Sequence, residues 1–209
     1  MRKLDFTPYA ENTELCFSAS ALAKMEWLVE HCNSEIGWNG LVRRPEENIY
    51  EVYDILVYPQ MVTSSTVKTD DEEYAKWVEG LDNDTLEHMR FNGHSHVNMP
   101  VYPSFTDMTF RQGICTQLDK DDFYIFAILN KRDRINAEIY EVAKKIVYET
   151  NDIVFRVTDL EEYKELKKTG AVNAEMQNEI DTKVRYEVLK KSEMQKLNDI
   201  FKGVHYGHS

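Results

Sequence analysis

Apolar residues Leu22, Met25, Leu28 and Val29 recur at three- and four-residue intervals and predict a helix over 18–34, capped by Ser18 or Ser20. A short strand over 12–18 leads into it. After Cys32-Asn33-Ser34 the pattern changes: Ile49, Val52, Ile55 and Val57 are β-branched, and 35–44 and 49–58 predict two strands joined at Arg44-Pro45-Glu46-Glu47-Asn48. The polar stretch 59–69, rich in Ser and Thr, predicts a loop. Tyr74, Trp77, Val78 and Leu81 predict a helix within 70–90, with a second short one near Leu86 and Met89. A strand over 90–96 follows, then a helix from Phe105 to about Leu118. The nearly unbroken apolar run 122–129 predicts a central strand buried on both faces. Segments 134–142, 145–149 and 152–158 predict further strands of a meander that turns at Asn151-Asp152.

From Asp159 onward Glu, Lys, Gln and Met dominate. Met176, Ile180, Val184, Val188 and Leu197 fall near a four-residue spacing, which predicts one short and one long helix broken at Gly170. The chain therefore divides into an α/β domain over 1–158 and a helical extension over 159–209, whose tail, 203–209, is expected to fray.

Composition narrows the function classes. Of 209 residues, 42% are hydrophobic and 11% aromatic, enough for a packed core. The formal net charge of −12 repels phosphate backbones, which argues against nucleic-acid partners. No apolar run approaches the roughly 20 residues that cross a bilayer, and Met1-Arg2-Lys3-Leu4-Asp5 has no hydrophobic segment behind it, so neither a membrane anchor nor a secretory signal is expected. Cys16, Cys32 and Cys115 have no paired spacing, as expected of a reducing, cytoplasmic setting.

One stretch carries chemistry. Gly93-His94-Ser95-His96 is followed by seven residues and then Ser104-Phe105-Thr106-Asp107. Alternate residues of a strand share a face, so a strand end would aim both imidazoles at one point. Ser-x-x-Asp is the signature of a helix start, and the loop containing Pro100 and Pro103 could return that helix to the strand end. Two histidines and a carboxylate form a catalytic zinc ligand set that leaves a position for water. Ser-x-x-Asp alone is an ordinary helix cap, and two nearby histidines alone are ordinary too. The four positions together arise by chance on the order of once in two thousand such chains. His31, His88, His205, His208, Trp38, Trp77 and Cys115 have bland readings: surface, tail or core.

These residues resemble the JAMM motif of JAB/MPN-domain metalloproteases, in which a glutamate lies upstream of His-x-His, seven residues, Ser-x-x-Asp. Glu35, in Ser34-Glu35-Ile36-Gly37-Trp38-Asn39-Gly40, falls where that glutamate is expected; Glu30 competes for the place, within a helix. The resemblance covers about 14–158, and a prokaryotic or phage-type member fits best. It implies a cytidine-deaminase-like fold: a mixed, mostly antiparallel sheet flanked by the helix at 18–34 and the helix after Ser104. It implies Zn2+ on His94, His96 and Asp107, Glu35 as general base and Ser104 as oxyanion stabiliser. The implied activity is hydrolysis of a peptide or isopeptide bond, with a peptide or a ubiquitin-like protein tail as substrate, extended beside a sheet edge, and variable substrate-contacting elements within 59–92. A non-catalytic MPN-type scaffold is the alternative, binding a protein partner or a second copy through 159–202. Cleavage of another amide remains open because a fold does not fix its substrate. A deaminase is disfavoured by the absence of a Cys-x-x-Cys ligand pair, and a nuclease by the acidic charge.

Overall fold

The computed structural model describes residues 7–8, 13–63, 66–120 and 122–187. It is an α/β protein. The strands are β1 (Thr7–Pro8), β2 (Thr13–Phe17), β3 (Gly37–Glu46), β4 (Ile49–Leu56), β5 (Gln60–Val62), β6 (Val67–Thr69), β7 (Met89–Ser95), β8 (Phe123–Asn130), β9 (Arg134–Glu141), β10 (Ile146–Tyr148), β11 (Ile153–Val157) and β12 (Val184–Tyr186). The helices are α1 (Ala19–His31), α2 (Asp71–Glu79), α3 (Asn83–His88), α4 (Phe105–Cys115), α5 (Leu160–Thr169) and α6 (Asn173–Lys183).

Nine strands form one mixed sheet in the order β1-β10-β9-β8-β7-β3-β4-β2-β11. Its two longest ladders, β8–β9 and β3–β4, are antiparallel, while β7–β8, β2–β4 and β2–β11 are parallel. The expected mixed sheet with flanking helices is present. The meander, however, stops at β10. The chain then reaches β11 on the opposite edge through residues 149–152 alone. Four residues span roughly 15 Å at most, whereas seven strand spacings of a flat sheet would need about 34 Å, so the sheet curls until its ends approach. Side chains mark the closure. Tyr50 on β4 donates to Glu141 on β9, Arg44 pairs with the same carboxylate at 2.9 Å, and Lys144 meets Glu47 at 2.9 Å.

Ser18 caps α1, accepting from the Ala21 amide at 3.0 Å. The helix lies between β4 on one side and α5 and α6 on the other, which is why it buries Ala21, Met25, Leu28 and Val29 together with Ala23 and Trp27. β8 is buried on both faces, as its unbroken apolar run predicts. Ile125, Ala127 and Leu129 join the main core, while Tyr124 and Phe126 pack under α4 with Cys115.

Two segments here differ from the sequence expectation. The 59–69 loop contains the β5–β6 hairpin, which with β12 makes a second, three-stranded sheet in the order β12-β5-β6. The long C-terminal helix ends at Lys183, because Val184, Arg185 and Tyr186 extend to pair with β5. Of its apolar series, Met176, Ile180 and Val184 are buried in the main core, and Val188 and Leu197 lie outside the described residues, as does the tail 203–209. Gly170 does break the helices. Its φ of +66° ends α5 in the left-handed region that glycine adopts without steric cost.

Candidate metal centre

The register of β3 and β7 builds the site. Gly37 pairs with His94, and one step outward the Ser95 amide donates to the Ile36 carbonyl at 2.9 Å. The ladder continued one residue sets Glu35 opposite His96. Cross-strand partners share a face, so Glu35, His94 and His96 all face the side of the sheet covered by α4. Ser95 points the other way, fully buried, and its hydroxyl accepts from the Ile36 amide at 3.2 Å, fixing the segment that carries Glu35.

α4 delivers the carboxylate. Ser104 and Asp107 form a reciprocal capping box: the Ser104 amide donates to Asp107 Oδ2 at 2.6 Å, and the Asp107 amide donates to Ser104 Oγ at 3.2 Å. The cap orients the helix start while leaving Asp107 Oδ1 directed at the histidines. His94 Nε2 lies 3.1 Å from His96 Nε2 and 3.4 Å from Asp107 Oδ1, and His96 Nε2 lies 3.8 Å from Asp107 Oδ2.

These separations test the fit of a metal. Tetrahedral zinc with ligands at about 2.0–2.1 Å needs ligand atoms roughly 3.3 Å apart. The separations from His94 Nε2, 3.1 Å to His96 Nε2 and 3.4 Å to Asp107 Oδ1, lie close to that value, and the 3.8 Å from His96 Nε2 to Asp107 Oδ2 is longer. His96 Nδ1 is 2.7 Å from the Pro100 carbonyl, which cannot donate, so Nδ1 carries the hydrogen and Nε2 presents its lone pair toward the cluster. Two imidazole nitrogens and a carboxylate oxygen converging without a donor for every lone pair suit a cation. The three side chains therefore form a group that could hold a metal ion.

Electrostatics favour the ligating form at His94 and Asp107, and the charged form at His96. Burial pushes the His94 imidazole down to about 4, toward the neutral, ligating form. Burial likewise opposes the charged form of His96, but its contacts with Asp107 and the Pro100 carbonyl outweigh it and raise the pKa. Burial would raise Asp107, yet the neighbouring His96 imidazole and the bonds with Ser104 hold it well below the usual carboxylate range. Glu35 is raised, chiefly by burial and further by Asp107, with His96 opposing. It is 7% exposed, a carboxylate made more basic by its surroundings.

All five expected site residues, Glu35, His94, His96, Ser104 and Asp107, line one cleft of about 620 Å³. Glu30, the competing glutamate, is bound to Lys167 at 2.8 Å and does not line it. The other candidates lie elsewhere. His31 stacks on Trp27, and His88 packs edge-on to Tyr53. Trp38 is fully buried, Trp77 packs on Tyr74, and burial pushes the Cys115 thiol up to about 12. His205 and His208 lie outside the described residues.

Residues the sequence did not single out complete the cleft. Thr66, Val67 and Thr69 of the β6 region form one wall, and Met99, Tyr102 and Phe110 another. Tyr58 packs directly over Gly37, and a Cβ there would overlap its hydroxyl. Gly37→Ala should therefore displace Tyr58 and cost about 1–3 kcal/mol, read as a lower urea midpoint at unchanged m-value. An unchanged midpoint would show that the ring moves aside freely. Val97, directly after His96, adopts φ +46°, a left-handed conformation that is costly for a β-branched residue. It is the sharp turn that lets the Pro100 carbonyl fold back onto His96.

No family model matches the chain. No curated protein matches it. Among solved structures, the solution structure of protein DSY2949 from Desulfitobacterium hafniense is 17% identical over 71% of this chain and 97% of its own, at a TM-score of 0.43.

Proposed function

We propose that this chain is a zinc-dependent metallopeptidase or isopeptidase of the JAB/MPN type, hydrolysing a peptide or isopeptide bond. The observation that carries the reading is the convergence of His94, His96 and Asp107, in the motif order, within a cleft that Glu35 and Ser104 also line. Zinc held by those three side chains supplies Lewis acidity, which brings the ionisation of water into the neutral range. Glu35 accepts the proton of the attacking water at its carboxylate and returns it to the leaving amine. Its burial supports that role, since a desolvated carboxylate binds a proton more tightly. Ser104 Oγ accepts from the Asp107 amide, so its own hydrogen is free to donate to an oxyanion.

The cleft suits an extended chain. β6 is an edge of the small sheet and lines the cleft, so a substrate strand could pair with it while its amide lies at the metal centre. Met99, Tyr102 and Phe110 offer apolar contacts beside it. A ubiquitin-like protein tail or a peptide fits this shape, with the cytoplasm as the setting. Among the described residues, no helix is long and apolar enough to cross a membrane.

A panel of peptide and isopeptide amides, including tails of ubiquitin-like proteins, tests the proposal. Hydrolysis that stops with a chelator and returns with zinc is expected. Zinc-loaded protein that cleaves nothing in the panel counts against it.

A further inference from the structure

The C-terminal segment reaches the cleft through the small sheet. α6 is anchored by Val172, Met176 and Ile180 in the main core, and Lys24 on α1 pairs with Glu175 at 2.6 Å. The helix passes into β12 with no intervening loop: the Val184 amide still donates to the Ile180 carbonyl, and Val184 already pairs with Gln60. β12 then runs parallel to β5, with Arg185 beside Met61 and Tyr186 beside Val62, and the Glu187 amide donates to the Val62 carbonyl at 3.0 Å. Two side chains reach further. Arg185 pairs with Glu73 on α2 at 2.8 Å, and Lys183 Nζ lies 6.0 Å over the Trp77 ring.

The hairpin that receives these contacts is small. β5 and β6 have three residues each, and an isolated two-stranded hairpin is marginal in water. Besides β12, it is attached at its root, where the Gln60 side chain bonds the Gly37 amide and carbonyl, both at 2.8 Å, and through Val62, which is buried in the main core with Val67 packed against it. β6, the strand that lines the cleft, is attached to the rest of the small sheet through β5.

We propose that the segment 172–187 is an intramolecular brace that holds the β5–β6 wall of the cleft in place, with Arg185 as a positioning residue. It transmits the rigidity of the α1–α6 packing to the strand on which the substrate would lie. The role as a substrate wall rests on the hydrolase reading; the bracing itself does not. The proposal also gives the apolar face of α6 an occupant within the chain, so that face is not free to dock a partner.

Hydrogen exchange tests it, comparing the full chain with a chain ending at Lys183, which keeps all of α6. Amide exchange across 60–69 should rise at least tenfold on truncation, while β7 protection and the bound-zinc stoichiometry stay as they were. Unchanged exchange across 60–69 overturns the brace. If the shortened chain also loses β7 protection, Arg185→Pro in the full chain decides. By the two-residue strand period, Arg185 turns its amide toward β5 as Glu187 does, and proline removes that donor. Faster exchange confined to 60–69 in this variant supports the brace, and none overturns it. Neither readout involves hydrolysis, so an inactive protein with a protected hairpin would sink the hydrolase reading and leave the brace standing.

Discussion

On the proposed function, Glu35→Gln should keep the zinc and lose the hydrolysis. The substitution preserves size and most hydrogen bonding but removes the proton acceptor. Glu35 sits beside the ligand cluster and is not part of it: the converging atoms belong to His94, His96 and Asp107. General acid–base groups contribute about 10²–10⁴-fold, so kcat should fall by that factor, with zinc still near one per chain. The β3–β7 ladder holds the backbone of this segment through Ile36 and Ser95, so the fold should not change. Loss of zinc in this variant would make Glu35 a ligand and end its assignment as the base. Full activity would move the base elsewhere in the cleft.

The second large effect is at Asp107. Asp107→Ala removes one of the three proposed ligands and should weaken zinc binding by more than about 100-fold, beyond the effect typical of residues that merely support ligands. It also deletes half of a capping box, which costs about 1 kcal/mol of helix stability. Asp107→Asn separates the two consequences, since its amide oxygen still accepts from the Ser104 amide while the negative charge is gone. Both variants should lose zinc in competition with a chelator, but Asp107→Ala alone should show a lower thermal midpoint in the metal-free state. Zinc retained at full affinity by both would remove Asp107 from the ligand set.

Much of the site was legible because local chemistry fixes it. His94 and His96 lie on one strand with a two-residue period, and Ser104-x-x-Asp107 caps its own helix whatever surrounds it. Glu35 was harder to place. Its position opposite His96 depends on the register of β3 against β7, partners distant in sequence, and only the motif resemblance points to it from the sequence. The rest of the cleft was hidden for a similar reason. Val67 and Thr69 look like loop residues, as Thr66 before them does, because their strand is three residues long and exists through pairing with β5, itself paired to β12. Val184 continues the apolar spacing of α6 and is buried as that spacing implies, yet it is extended, because β5 offers an open edge to a β-branched residue. β11 has the composition of a meander strand. Its parallel place beside β2 follows from the curl of the whole sheet, which no local window contains.

The central claim is that His94, His96 and Asp107 hold a zinc ion. Elemental analysis of the purified protein beside His96→Ala tests it most directly. Near-stoichiometric zinc in the wild type, lost in the variant while the thermal unfolding transition remains cooperative, is the predicted result. Wild-type protein that takes up no zinc even after reconstitution would contradict the claim, and the hydrolase reading with it.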